Sequence, residues 1–398
     1  MKTNKPRWRN VFVALLLMIA GALVWRFLPR ERLLLKRATR VTSDRPYYVG
    51  KPPIYASYDP YFWKSPHEAL LFHLTMSVPP NCSVELYDTA TGRRRAMPSF
   101  SRIFQQSAVS NMAIVQIFFG RGAASNARRI LGITLRNACS ISPDGAWMLY
   151  RNWAGGANNP FRTLTLSLNG SRRIVWPAWS ETRFDMIRQP FWLPDSRHWA
   201  EIVYDHTSHT FLAAVYGLDG KHYTGVIARG RWLWSGEVHG ITQSGSVLIR
   251  KFNTPALPKR LVQIMEWDLQ GILAHRANGS AHARTISIRM PANTEEVSGP
   301  DPRISPQGDR LAWVLTLENA HPEPAWLQRL WALFGQRQRK TFGLWVSHLD
   351  GSQLREIGHI NYQPDDEVPQ DIRWTPDGKR LSFLYKGALY TVPVDEGR

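Results

Sequence analysis

Short apolar runs separated by polar turns recur along the chain from about residue 60 to its end. The last copy is the clearest. In Ile372–Val394, reading IRWTPDGKRLSFLYKGALYTVPV, Leu381, Phe383 and Tyr385 alternate with Ser382 and Leu384, the two-residue period of a strand. Lys386-Gly387 turns the chain, and Leu389, Thr391 and Pro393 then alternate with Tyr390, Val392 and Val394. Ahead of both strands, Thr375-Pro376-Asp377-Gly378 is a turn with a physical cause. Proline presets its φ, the aspartate can bond the backbone two residues on, and glycine accepts a positive φ. Gly378 and Gly220 are predicted to resist β-branched replacement if their φ is positive.

The same turn introduces an apolar run at Ser65-Pro66, Ser142–Gly145, Leu193–Ser196, Thr242–Gly245 and Ser305–Gly308. A second turn follows each of them: Ala90-Thr91-Gly92, Leu168-Asn169-Gly170, Leu218-Asp219-Gly220, Leu269-Gln270-Gly271, Leu349-Asp350-Gly351 and Asp395-Glu396-Gly397. Asn-Gly and Asp-Gly between apolar runs are strong hairpin signals. Each unit therefore predicts four strands, a to d, with a turn between a and b and another between c and d. The units repeat about every 50 residues where nothing is inserted, the spacing of propeller blades. The last unit stops short of its own strand d, so residues from about 40 to 62 are expected to supply the missing outer strand and close the ring.

Trp374–Lys379 matches closely, and Ser142–Gly145 well, the Trp-Ser-Pro-Asp-Gly-Lys turn of a known repeat. The unit resembles the WD-like beta-propeller repeat of TolB-type proteins over about residues 60–398, without the separate amino-terminal domain that TolB carries. The resemblance implies a six-bladed propeller, usually outside the cytoplasm and used for binding.

Strand direction alternates, so the a–b and c–d turns share one face, and the b–c and d–a loops share the other. Two stretches depart from the period, Arg93–Ala138 and Glu318–Phe342, and both fall on the b–c/d–a face. Binding residues favour such loops on a rigid scaffold. Trp153, Trp179, Trp232 and Trp234 fall in connections of that face and are candidate ligand contacts, with blade-to-blade packing as the plain alternative. In the second insertion Trp326, Leu330, Trp331 and Phe334 follow helical spacing. They are candidates for a partner or membrane contact, or for a lid packed on the propeller.

The 398 residues carry a formal charge of +19. Residues 1–40 contribute ten basic side chains against Glu31 alone, flanking the apolar run Val11–Leu28. That arrangement reads as a membrane signal rather than a nucleic-acid footprint. Residues 1–10 form a basic tail, 11–28 a transmembrane anchor or a signal segment cleaved after Ala22, 29–62 a linker with the ring-closing strand, and 63–398 the propeller. The flanking charges disagree on topology, and export is the reading adopted here.

Cys82 and Cys139 have no metal-ligand spacing, and one disulfide or two thiols are both open. Asp205-His206 with His209 could ligate a metal, but a third ligand is not apparent and a polar turn explains them. No nucleophile elbow, metalloprotease helix or phosphate loop occurs, and no metal or cofactor is expected. The expectation is an all-β, six-bladed propeller behind a single-pass hydrophobic helix. It is a non-enzymatic protein of the cell envelope, outside the bacterial inner membrane, that binds a protein or peptide. A carbohydrate-binding or hydrolytic propeller with a funnel site, and a cytoplasmic membrane-tethered sensor, are the alternatives.

Overall fold

The Ser/Thr-Pro-Asp-Gly turns bond themselves. In Thr375–Gly378 the Gly378 amide donates to Thr375 O at 2.8 Å, and Asp377 Oδ1 accepts both Thr375 Oγ1 at 2.6 Å and the Lys379 amide at 3.1 Å. The same bonds recur at Ser142–Gly145. Such a turn fixes where strand a ends and strand b begins without help from the rest of the fold.

The computed structural model describes residues 34–42, 61–75, 81–105, 139–152, 162–176, 184–186, 190–229, 238–251, 261–269, 283–291, 294–296, 302–318, 340–362, 368–386 and 388–395. A four-residue helix, α1 (Leu34–Arg37), and a strand, β1 (Thr39–Arg40), come first. Six antiparallel sheets follow as blades. Blade 1 is β2 (Tyr61–Ser65), β3 (Glu68–Thr75), β4 (Asn81–Asp88) and β5 (Arg94–Ala96). Blade 2 is β6 (Cys139–Ile141), β7 (Trp147–Asn152), β8 (Arg162–Ser167) and β9 (Arg173–Val175). In blade 3 two short strands, β10 (Phe184–Met186) and β11 (Phe191–Trp192), share the place of strand a beside β12 (His198–Asp205), β13 (Thr210–Gly217) and β14 (His222–Arg229). Blade 4 is β15 (Val238–Ile241), β16 (Ser246–Lys251), β17 (Leu261–Asp268) and β18 (Ala283–Arg289). Blade 5 splits strand a in the same way, into β19 (Thr294–Glu296) and β20 (Arg303–Ile304), beside β21 (Arg310–Glu318), β22 (Lys340–His348) and β23 (Arg355–Tyr362). Blade 6 is β24 (Gln370–Trp374), β25 (Arg380–Tyr385), β26 (Ala388–Pro393) and, outermost, β1. The chain is a six-bladed β-propeller.

The core is divided by seam. One cluster of buried side chains fills each interface between neighbouring blades, from the Phe62–Phe72–Cys82–Tyr150 group between blades 1 and 2 round to Tyr61, Trp63, Leu384 and Leu389 between blades 1 and 6. Middle strands are covered on both faces, which is why Ser382, expected to alternate outward, is fully buried with its neighbours on β25. Polar groups in the seams are paired. Glu201 bonds Arg151 across blades 2 and 3 and accepts the Tyr216 hydroxyl at 2.9 Å. The tryptophans that precede the turns tie adjacent blades: Trp192 Nε1 donates to Ser140 O at 3.2 Å, Trp374 Nε1 to Arg303 O at 2.8 Å, and Trp63 Nε1 to Ser382 Oγ at 2.7 Å.

The turns themselves are stacked from blade to blade. A Cβ added to Gly145 (φ +69°) would lie 2.1 Å from Lys64 O of the preceding blade. Ser196 takes the glycine place with φ +57°, and its hydroxyl accepts the Asp144 amide of blade 2 at 3.0 Å. A bond across the seam thus offsets part of the left-handed strain.

The ring closes at two radii. Outside, β1 pairs with β26 in the register Thr39↔Thr391 and Arg40↔Tyr390, at the leading edge of the segment expected to do so. Leu389 N donates to Thr42 Oγ1, and the Tyr87 hydroxyl of blade 1 donates to Val41 O. Leu34 of α1 is fully buried and packs on Gly358, where a Cβ would lie 2.9 Å from Leu34 Cα. Inside, the Tyr61 hydroxyl donates to Asp371 O at 2.8 Å and lies 2.8 Å from Ser382 Oγ.

Two details differ from the periodicity reading. Strand d of blade 1, β5, lies inside the stretch taken as the first insertion. A helix then follows, α2 (residues 98–105). Its Ser101 Oγ and Gln105 Oε1 accept the amides of Val84 and Cys82, which the short β5 leaves unpaired. Phe104 inserts edge-on between Phe72 and Tyr150, at centroid distances of 4.9 and 4.6 Å. The apolar run 11–28 lies outside the described residues, and among those residues no helix is long and apolar enough to cross a membrane.

Candidate functional site

The first strands of the blades meet in order around an axis, β2 with β6, β6 with β11, β11 with β15, β15 with β20, and β20 with β24. They enclose a cavity of about 380 Å³ to which all six blades contribute. It lies at the end carrying the a–b turns, where Pro143, Pro194, Pro306 and Pro376 rim it. The strand ends at Glu318 and Lys340, which bound the second insertion, lie on the opposite face by strand direction. The cavity's wall mixes polar and apolar surface, and its charged members are Lys64, Arg303, Arg373 and Asp371.

Strand β24 sets the polar part of the wall. Asp371, Ile372, Arg373 and Trp374 all line the channel, and Ile372 and Trp374 also pack in the seam between blades 5 and 6. The ladder with β25 shifts register between Gln370 and Arg373, and Asp371 sits in that irregularity with φ +52°. Non-glycine residues in this region cost of order 1–3 kcal/mol and persist only where neighbours hold them. Two contacts do so here: the Asp371 carbonyl takes the Tyr61 hydroxyl, and Asp371 Oδ1 takes Arg373 Nε at 3.0 Å.

Arg373 is thereby oriented from two sides. Its guanidinium carbon stands 4.3 Å above the Phe62 ring and 5.5 Å from that of Tyr61. Its Nε is engaged by Asp371, whose side chain is 3 % exposed, whereas that of Arg373 is 23 % exposed. Among the described residues, neither terminal nitrogen of Arg373 has a protein hydrogen-bond partner or is buried without one. Cys139, also in the wall, is a free thiol, as is Cys82. Burial pushes the Cys139 thiol well above its ordinary value, with Arg373 pulling the other way.

A second cavity, about 410 Å³, lies on the rim beside blade 5. Its Arg310 and Arg355 already converge on Asp395, at 2.8 and 3.3 Å.

Trp153, Trp179, Trp232, Trp234, Trp326, Leu330, Trp331 and Phe334 all lie outside the described residues. The Asp205–His209 cluster is a hairpin turn between β12 and β13. Asp205 is buried and accepts the Thr207 amide at 2.9 Å, and His209 Nδ1 bonds the Tyr204 hydroxyl at 2.9 Å. Among the described residues no three His, Cys, Asp or Glu side chains gather as a metal site. One carboxylate, Asp371, lines the channel, so the described wall holds no acid–base carboxylate pair.

No family model and no curated protein matches the chain. The TolB-type likeness therefore stays a resemblance of repeat units. Solved propellers are similar at low identity. An oligogalacturonate lyase from Vibrio parahaemolyticus is 10% identical over 90% of this chain and 94% of that one, with TM-score 0.43. The beta-propeller domain of the Trilobed protease from Pyrococcus furiosus is 10% identical over 83% and 81%, with TM-score 0.37. Prolyl oligopeptidase B from Galerina marginata is 11% identical over 89% of this chain and 40% of that one, with TM-score 0.41. Such distances say nothing of this chain's own chemistry. They do correct one expectation. The chain was expected not to be an enzyme, yet the similar propellers carry the names of a lyase and of proteases, so the architecture gives no ground for excluding catalysis.

Proposed function

We propose that this propeller works through its central channel, binding a small molecule at the end rimmed by the a–b turns. One observation carries the reading: a cavity of about 380 Å³ on the ring axis, walled by all six blades. That size lies within the range of small-ligand sites, and only four charged side chains stand in its wall. This is nearer to the funnel-site alternative of the sequence reading than to its main expectation, a protein or peptide bound on the loop face.

The test uses the tryptophans of the wall. Trp63, Trp192 and Trp374 line the cavity, so a channel ligand changes intrinsic fluorescence. Ser140 also lines it, and Ser140→Trp fills the space. A ligand that binds the wild type and is lost in Ser140→Trp, with unchanged melting temperature, supports the reading. Ligands found only at sites that Ser140→Trp leaves intact contradict it. The same ligands, incubated with the protein and followed for new products, decide whether binding leads to turnover.

We further propose that residues 11–28 hold the propeller at a membrane. The support is the apolar run itself, followed within six residues by Leu34, which is buried in the propeller rim. Six residues reach at most about 22 Å, so a membrane-inserted run keeps the rim of blades 5 and 6 at the bilayer. Extraction of membranes at high pH releases a protein lacking such an anchor and retains one that has it.

A further inference from the structure

We infer that the channel ligand carries a carboxylate, and that Arg373 receives it with the two terminal nitrogens of its guanidinium. This rests on the channel being the binding site and adds the chemical class of what enters it.

A guanidinium offers five N–H donors in one plane. Asp371 consumes the Nε donor, and stacking over Phe62 fixes the plane. The end-on pair, Nη1 and Nη2, has no protein hydrogen bond among the described residues, on a residue that lines an open cavity. Two parallel donors in a fixed plane match a carboxylate's two oxygens, a geometry that a lysine in the same place lacks.

The strained backbone has a use in this setting. Asp371 is nearly fully buried and held at φ +52° by the Tyr61 hydroxyl on its carbonyl. It contacts Arg373 rather than the cavity's contents through that bond, so it is a positioning residue. Without it the guanidinium is free to rotate about its last torsions, and the fork loses its aim.

The charge of the wall agrees. Lys64, Arg303 and Arg373 stand against Asp371 alone, and Lys64 is drawn to Glu68 at 2.6 Å. Three basic side chains against one acidic one favour an anion over a cation in the cavity. A single aimed fork supplies one positive charge and suits a monoanion; phosphate, which a guanidinium can also grip by two oxygens but which carries more than one charge near neutral pH, is the contrasting probe.

The experiment titrates the full chain with galacturonate, galacturonate methyl ester, succinate and inorganic phosphate, following tryptophan fluorescence. The acid and its ester share a ring and differ only in the anionic group. The expected result is that at least one carboxylate saturates the signal at millimolar concentration, that galacturonate binds at least about tenfold better than its ester, and that phosphate binds more weakly than either carboxylate. Arg373→Lys and Asp371→Asn are expected to shrink the acid-to-ester gap to about twofold. Equal affinity for acid and ester, a gap unchanged in Arg373→Lys, tighter binding of phosphate, or no binding of either carboxylate each overturns the inference. The wild-type acid-to-ester comparison decides even if a variant fails to fold. Ser140→Trp separates the two levels. If it abolishes ester and acid binding alike and the two bind equally, the channel stands and the carboxylate falls. If acid binding survives it, the channel reading itself falls.

Discussion

At the scale of single residues, turn positions that look alike in sequence are held in place by different physics. Gly145 and Gly220 both have positive φ, +69° and +90°. Gly145 abuts the Lys64 carbonyl, whereas nothing lies within 4 Å of a Cβ at Gly220. Gly220→Val therefore carries only the backbone strain, about 1–2 kcal/mol. Gly145→Val adds a backbone clash between blades and is expected to cost about 3 kcal/mol or more. Denaturant unfolding of the two variants measures the difference, and equal costs contradict the stacked turns. Asp195 makes a related case. Burial acts to raise its pKa, but bonds from the His198 ring and from the Arg197 and His198 amides outweigh burial and hold it below the ordinary carboxylate value. A folded-state pKa below the unfolded one contributes stability above the unfolded value, and that contribution is lost as pH falls through the folded one. Asp195→Ala is thus expected to melt earlier than wild type at pH 7, the gap closing below about pH 4. A gap independent of pH contradicts this assignment.

Single elements decide how the ring is shut. The hairpin signals in the sequence were enough to count blades, because Pro-Asp-Gly and Asn-Gly turns are specified locally. The need for an outer strand was legible for the same reason: the last unit shows the pattern of strands a to c alone. Its register was not, since Thr39 and Arg40 are chosen by α1, whose Leu34 fills a gap left by Gly358, a contact more than 300 residues apart in sequence. Leu34→Ala is expected to cost about 2–5 kcal/mol, and proteolysis near the amino terminus should speed up with it. Unchanged unfolding in denaturant contradicts the docking of α1. Helix α2 escaped a reading tuned to strands, although Phe100 and Phe104, four apart and both buried, were its signal. The Arg151–Glu201 pair was invisible, because it joins two strands 50 residues apart. Glu201→Ala removes the bond to Arg151 across the seam and is expected to destabilise by about 1.5–3 kcal/mol. Replacing Val175, the one large exposed hydrophobic residue among those described, should change little by comparison.

For the whole molecule, six seams replace a single core, and the place where six first strands meet is a channel rather than a packed centre. The sequence pointed to loops on the b–c/d–a face, because insertions are visible as departures from a period. A channel is visible only once the blades are placed. Its trace in the sequence was faint: Gln370-Asp371-Ile372-Arg373-Trp374 sets two charges at alternating positions on a strand that otherwise reads as core. Charge on the covered side of an inner strand has to be paired or facing a cavity, and here it is both. The central claim is that this channel holds an acidic ligand against Arg373. The most direct measurement is a crystal structure of the protein soaked with galacturonate or succinate. The account predicts density on the ring axis with both carboxylate oxygens within hydrogen-bond reach of Arg373 Nη1 and Nη2. An empty channel with the ligand bound elsewhere, or a ligand in the channel whose carboxylate points away from Arg373, would contradict it.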